Sequence, residues 1–272
     1  MTDLTLSIEN WAAWISPASA KNLPGIGPAG LDEQIPDCTN RISTLEPEIG
    51  FLSANQRRRL TPLSRLIVDT YHRANGHPSD GLQIPSILCS TYGEHVRNTD
   101  LILDISTNSE ISPTAFSLSV HNAVAGLISI FYGNEAPCLA MATNKSGVSM
   151  ALVQAYSMLS ENSHVSLTIY DGPVHKSYRD AVTDSDETAA ITLILSRESS
   201  KKDRLHVRHT VTNSKTKALS PKLEIVEIVK FLQVAENQLN SETTGIRSEI
   251  RLVLGDWTWS LLRKEQKRDQ AM

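Results

Sequence analysis

Residues 189–196, AAITLILS, constrain the fold more than any other stretch of the chain. The run is almost unbroken in apolar character and shows no alternation with polar residues. A strand of this kind has to be covered on both faces, so the sheet that holds it lies between layers of helix. HVSLTIYD, residues 164–171, reads as a second strand of the same sheet. Helical stripes fill the intervening chain. Val120, Ala123, Val124, Leu127, Ile128 and Phe131 form one, which Gly133 and Asn134 end. Residues 146–160 put Val148, Ala151, Leu152, Ala155 and Leu159 on a common face, and residues 223–239 repeat through Ile225, Ile228, Val229, Leu232 and Ala235. PLSRLIVDTY aligns Leu63, Leu66, Ile67 and Thr70, with Pro62 in the first turn. The expected fold is a layered α/β domain over residues 1–262, with the unpatterned RKEQKRDQAM of 263–272 as a loose tail.

Weaker patterns complete the outline. Leu4, Leu6 and Ile8 alternate as a short strand, after which Trp11 and Trp14 lead into a Pro/Gly-rich stretch, 17–36, expected to be irregular. IPSILCS reads as a short buried strand. LHVRHTV, residues 205–211, alternates as an edge or crossover strand would, and IRLVLGDWTW alternates through Ile250, Leu252 and Leu254. PCLAMAT, residues 137–143, is a strand whose small side chains permit close packing on both sides.

Charge and cysteine usage exclude several partners. Lys+Arg 26 against Asp+Glu 30 gives a formal net charge of -4, so no overall basic field recommends nucleic acid or an anionic membrane. Arg57, Arg58 and Arg59 stand together before a helix, as a solvated surface or as a contact for a phosphate or an acidic partner. No apolar run is long enough for a membrane span, and the first residues lack the basic start of a signal peptide. Cys38, Cys89 and Cys138 are widely spaced, without metal-ligand spacing, and fit a reducing compartment. A cytoplasmic location with no metal and no cofactor is the expectation.

MATNKSGVSMALVQA, residues 141–155, has the order of a strand, a turn and a helix start. Backbone N–H groups and the dipole at such a helix start favour an oxyanion or a lowered cysteine pKa, which is why acyl-transfer enzymes place a nucleophile there. The turn here reads Thr143, Asn144, Lys145, Ser146, with no cysteine; Cys138 sits roughly 20 Å back along the strand at about 3.3 Å per residue. Lys145 has no acid/base partner nearby in sequence and reads as a helix-start lysine facing solvent or a partner subunit. Ser119 with His121, and Ser163 with His164, lack a third member. His206 and His209 lie three apart in a strand, so their side chains tend to oppose. Asp171 ends a strand, where an α/β fold can place a functional carboxylate, but YDGP reads first as an exposed turn.

Ile111-Ser112-Pro113, Asn122, Val124-Ala125-Gly126, Tyr132-Gly133, Pro137 and Ala142-Thr143 resemble successive landmarks of the β-ketoacyl synthases of the thiolase-like superfamily. SPTAFSLSVHNAVAG, ATN at 142–144, Tyr170-Asp171 and GDWTW at 255–259 are similar to the chain length factors that accompany aryl polyene synthases. The resemblance spans roughly residues 3–262 and corresponds to the N-terminal half of a complete synthase. It implies a thiolase-like α/β fold, with the family's cysteine position falling on Lys145, or on Asn144 after a one-residue gap. The sequence also has no HGT motif of the kind that decarboxylates a malonyl extender. By the same resemblance, Pro137, Cys138, Leu139, Ala140, Met141 and Ala142 form an interface strand, and Thr114, Ala115 and Phe116 wall a partner's acyl tunnel. The implied role is a noncatalytic subunit of a complete β-ketoacyl-ACP synthase, meeting acyl carrier protein through the complex, in aryl polyene, polyketide or fatty-acid-like synthesis. Two other readings stay open: an independent acyl-CoA or acyl-ACP transferase or hydrolase, and a partner that only stabilises a synthase.

Overall fold

The computed structural model describes residues 3–21, 23, 41–81, 83–142, 147–181, 187–197, 205–211, 221–240, 250–254 and 257–262. The proposed tail, the turn at 143–146 and most of 17–36 lie outside these residues.

The chain runs β1 (Asp3–Ile15), α1 (Pro17–Ala20), β2 (Ile42–Ser43), α2 (Ala54–Arg57), α3 (Pro62–Asn75), β3 (Ser86–Ser90), α4 (His95–Ser106) and α5 (Pro113–Ser117). It continues through α6 (Ala123–Tyr132), β4 (Cys138–Ala142), α7 (Gly147–Met158), β5 (Val165–Asp171), β6 (Ala189–Ser196), β7 (Leu205–Val211), α8 (Pro221–Asn240), β8 (Arg251–Leu254) and β9 (Trp257–Leu262). One sheet carries the strands in the order β4-β3-β5-β6-β1-β7-β9-β8, with β2 beside β1. β3, β4 and β5 are parallel; β6, β1, β7, β9 and β8 follow antiparallel.

Every residue of β5 and β6 is buried, as the apolar run requires. Ile191, Leu193 and Leu195 face the layer of α7 and α8, joined there by Val148, Leu152, Ile228 and Leu232. On the opposite face α3 and α6 pack through Ile67, Val68, Val124 and Ile128 against Leu88, Tyr170 and Ala190. The threonine hydroxyl within the apolar run is answered by its neighbours: Thr192 Oγ1 lies 2.9 Å from Thr168 Oγ1 and 3.5 Å from Thr70 Oγ1, which itself donates to the Ile67 carbonyl. Arg41 ties β1 to α8. Its Nε is 3.2 Å from Glu236, whose carboxylate also accepts from Trp11 Nε1 at 2.9 Å.

Several expectations need correction. β1 does not end before the tryptophans but runs through Trp11 and Trp14, because β6 pairs with it as far as Ile15. Residues 17–20, expected to be irregular, form a short helix started by Ser16 and Pro17. β7 is an interior strand between β1 and β9, not an edge or a crossover. IRLVLGDWTW is two strands, β8 and β9, paired antiparallel with Leu254 opposite Trp257. Val120 precedes α6 and is exposed, while Gly133 caps that helix in the left-handed region at φ 56°.

His72 on α3 stacks on Phe51 at 3.8 Å and shares a hydrogen bond between its Nδ1 and the Tyr132 hydroxyl, 3.0 Å apart. Burial, reinforced by the neighbouring His77, lowers its pKa. The unfolded chain therefore binds a proton that the folded chain refuses, so this contribution is full above the ordinary imidazole value and is lost as pH falls below it. Urea titrations at about pH 7.5 and 5.5, which bracket an ordinary imidazole pKa, are expected to show a smaller loss of stability for His72→Gln than for the parent chain.

Candidate functional site

The parallel strands β3, β4 and β5 end along one rim of the sheet. Ser90 at the end of β3 pairs with Ala142 at the end of β4, and Asp171 closes β5 on the other side of β3. The turn carrying Thr143, Asn144, Lys145 and Ser146 leaves this rim, but those four residues fall outside the described ones.

Asp171 is not in an exposed turn. It is 1% exposed, and its carboxylate accepts from Ser90 Oγ at 2.7 Å, from the Thr91 N–H at 3.0 Å and from the Tyr92 N–H at 3.0 Å. Burial nonetheless raises its pKa, against those donors and the nearby Lys222. Ser90 Oγ in turn accepts from Gly93 N–H at 2.7 Å, and His121 Nε2 sits 3.1 Å from the Ser90 carbonyl. Gly93 has φ 55°, and a Cβ there would lie 2.9 Å from the His121 ring, so a side chain is excluded by both backbone and space. Asp171 is thus a peg that shapes the turn from β3 into α4. The sequence signal was YD at a strand end; its burial followed from pairing with β6 and β3, which YDGP alone does not reveal.

Beyond this turn α4 and α5 form an arm with few buried side chains, only Thr99 and Leu101 on α4 and none on α5. Ile102, Leu103, Ile105 and Phe116 are exposed, Phe116 to 60%. Thr114 is exposed and Ala115 half-buried, so all three expected tunnel-wall residues lie together at the surface of one short helix.

β4 ends the sheet. Among the described residues it pairs with β3 alone, and Cys138, Leu139 and Ala142 are exposed while Ala140 and Met141 are half-buried. The expectation of close packing on both sides is therefore unmet within this chain. Pro137 stands just before the strand, its carbonyl accepting from Ser86 N–H. The flanking helices add apolar surface: Ile130 of α6 is 67% exposed, and Met150 and Val153 of α7 are exposed as well. A free strand edge beside apolar side chains is a surface that another chain can complete.

No described thiol replaces the missing nucleophile. Cys89 is buried on β3, with Sγ 3.8 Å from the Gly147 carbonyl. Cys138 is exposed as a residue, yet its Sγ turns inward to the Ala125 carbonyl at 3.9 Å, and burial of the sulfur pushes its pKa up, away from thiolate.

A serine and a histidine do meet, though not a pair named above. Ser149, in the first turn of α7, has Oγ 3.0 Å from His209 Nε2, and His209 Nδ1 takes the Trp259 indole N–H at 3.1 Å. An indole nitrogen can only donate, so Nδ1 is bare and the neutral ring carries its proton on Nε2, facing Ser149. A general base needs the opposite tautomer. The arrangement holds a serine in place and cannot take its proton. The alternation Leu205, Val207, His209 already marked His209 as inward-facing; its partners on α7 and β9 were hidden until the strands were ordered. His206, as expected, points elsewhere, to Ser7 Oγ at 2.8 Å. Ser119 Oγ donates to the Phe116 carbonyl, and Ser163 pairs with His164 at the surface, so neither couple is a catalytic pair. Among the described residues no cluster of histidine, cysteine or carboxylate could hold a metal ion, and no helix is long and apolar enough to cross a membrane.

The sequence matches the family described as beta-ketoacyl synthase, N-terminal domain, over residues 33–260. No curated protein matches it. Among solved structures, the fold is similar to a chain of the ketosynthase ApeO in complex with its chain length factor ApeC from Xenorhabdus doucetiae, at 19% identity and a TM-score of 0.62, covering 96% of this chain and 100% of that one. It is also similar to the ishigamide ketosynthase/chain length factor, at 16% identity and a TM-score of 0.54 over 76% of this chain and 67% of that one. A third likeness is to AntDE:AntF, a type II polyketide acyl-carrier protein in complex with its ketosynthase, at 12% identity and a TM-score of 0.52 over 79% and 71%. These likenesses establish an α/β fold with the architecture of a ketoacyl-synthase N-terminal domain.

Removing the Asp171 peg leaves buried donors unanswered and Lys222 without this nearby carboxylate. Asp171→Ala is expected to lower unfolding free energy by about 3–5 kcal/mol, with faster amide exchange at Thr91 and Tyr92. Denaturant titration and hydrogen exchange measure the two effects.

Proposed function

This chain belongs to the family of beta-ketoacyl synthase N-terminal domains, and from that premise we propose that it is a noncatalytic subunit that pairs with a complete β-ketoacyl-ACP synthase and sets how long its acyl product grows. The reading names a chain length factor in aryl polyene, polyketide or fatty-acid-like synthesis. The observation that carries it is the outer edge of β4, which pairs with β3 alone among the described residues and lies next to α6 with its exposed Ile130. Two sheets can join across such an edge by backbone hydrogen bonds, and the apolar helix face beside it then leaves water.

The sequence of the turn agrees with a supporting role. Thr143, Asn144, Lys145 and Ser146 keep the place of a nucleophile turn without a thiol. Under this reading the thiol and the decarboxylating groups belong to the partner, and the α4–α5 arm brings Thr114, Ala115 and Phe116 to the wall of the partner's tunnel. Bulk at that wall limits chain length by steric exclusion and needs no reacting group of its own. Ketosynthase and chain length factor appear together in two of the similar structures, and an acyl-carrier protein in a third, which supports the same kind of assembly here. Arg58, Arg59 and Arg65 are exposed and carry no ion pair among the described residues, a surface suited to an acidic carrier protein.

The competing reading as a transferase or hydrolase acting alone has little to work with among the described residues. Cys138 is held protonated, and the Ser149–His209 pair has the wrong tautomer. A partner that only stabilises the synthase differs in one respect: it would not change product length.

Co-expression with the cognate synthase is expected to give a heterodimer that Leu139→Lys disrupts, read by size-exclusion chromatography. In the intact heterodimer Ala115→Phe is expected to shorten the products. Phe116→Ala, whose ring is exposed, is expected to lengthen them while changing the subunit's own stability by no more than about 0.5 kcal/mol. Mass analysis of products at matched heterodimer concentration decides: unchanged lengths in both variants would leave the stabilising role, and a chain that ignores the synthase would reject the pairing itself.

A further inference from the structure

We propose that Trp259, His209 and Ser149 form a positioning relay, through which the β8–β9 hairpin fixes the first turn of α7, the helix that follows β4 in the chain. The inference rests on the reading of this chain as a partner subunit. The three side chains are buried and come from three elements, β9, β7 and α7. His209 and Trp259 are directly opposite in the β7–β9 pairing.

Direction is what makes the chain of bonds informative. Trp259 Nε1–H enters His209 Nδ1 at 3.1 Å, so the imidazole proton sits on Nε2 and is delivered to Ser149 Oγ at 3.0 Å. Each member has one role and cannot exchange it with its neighbour. Ser149 is the third residue of α7, so the bond acts within one turn of the helix start. A shift of α7 by one residue would swing Ser149 about 100° around the helix axis and break its bond to His209. β4, on the other side of the 143–146 turn, is fixed by its pairing with β3, where Ala142 meets Ser90. Met150 and Val153, exposed on the same helix, move with it.

Trp259→Phe keeps the ring and removes the donor; Ser149→Ala removes the acceptor; Ser149→Thr retains a hydroxyl. Nitrogen-15 NMR of His209 in the parent protein, alone or with its synthase, should show the Nε2–H tautomer, and Trp259→Phe should yield a mixture. Amide exchange over the first turn of α7 should be about tenfold faster in Trp259→Phe and Ser149→Ala, with α8 unchanged and Ser149→Thr close to the parent. In the heterodimer the first two variants should broaden the product-length distribution and Ser149→Thr should restore it. An Nδ1–H tautomer in the parent, or equal behaviour of Ser149→Ala and Ser149→Thr, overturns the relay; that serine pair decides the matter even if Trp259→Phe does not fold. Faster exchange with unchanged product lengths in an intact heterodimer overturns its positioning role. If no heterodimer forms while the exchange pattern holds, the subunit reading fails and the relay within the chain stands.

Discussion

Burial of β5 and β6 on both faces is the constraint around which the molecule is arranged. Each strand requires a layer of helix above and below, and α3 with α6 on one side and α7 with α8 on the other supply them. With the faces closed, the ends and edges of the sheet are what remain for interaction. Asp171 stands at one end of the sheet, and the edge carries β4 itself.

Much of this was legible in the residues. AAITLILS admitted only a doubly covered strand, and the stripes in α6, α7 and α8 announced their inner faces. Alternation was misread wherever the neighbouring strand decides the outcome: nothing in LHVRHTV tells an edge from an interior strand, since the difference lies in β1 and β9 pairing with it from opposite ends of the chain. The same holds for Asp171, whose burial depends on Ser90 and Tyr92, some eighty residues earlier. The turn residues, Thr143 to Ser146, were read from sequence alone.

Two polar devices at the site do similar work by different chemistry. Asp171 uses a charge to gather several donors at one point, and does so at a cost, since burial works against its ionised form. The Ser149–His209–Trp259 chain uses neutral groups in a fixed donor order and incurs no such penalty. Asp171 anchors backbone next to the sparsely buried α4–α5 arm, and the Ser149–His209–Trp259 chain meets the buried start of α7. Buried polar groups of this kind narrow the ways in which an apolar core can pack.

The place of β1 has a consequence for how the protein comes into being on the ribosome. Ser7 pairs with Ser196 and Leu4 with His209, so β1 finds these neighbours only after the long intervening chain has emerged. Until then its apolar residues wait without partners, and closing so long a loop slows the final assembly of the sheet. The parallel β3, β4 and β5, by contrast, are contiguous in the chain and can associate earlier. The edge strand β4 thus finds its place before the centre of the sheet is complete.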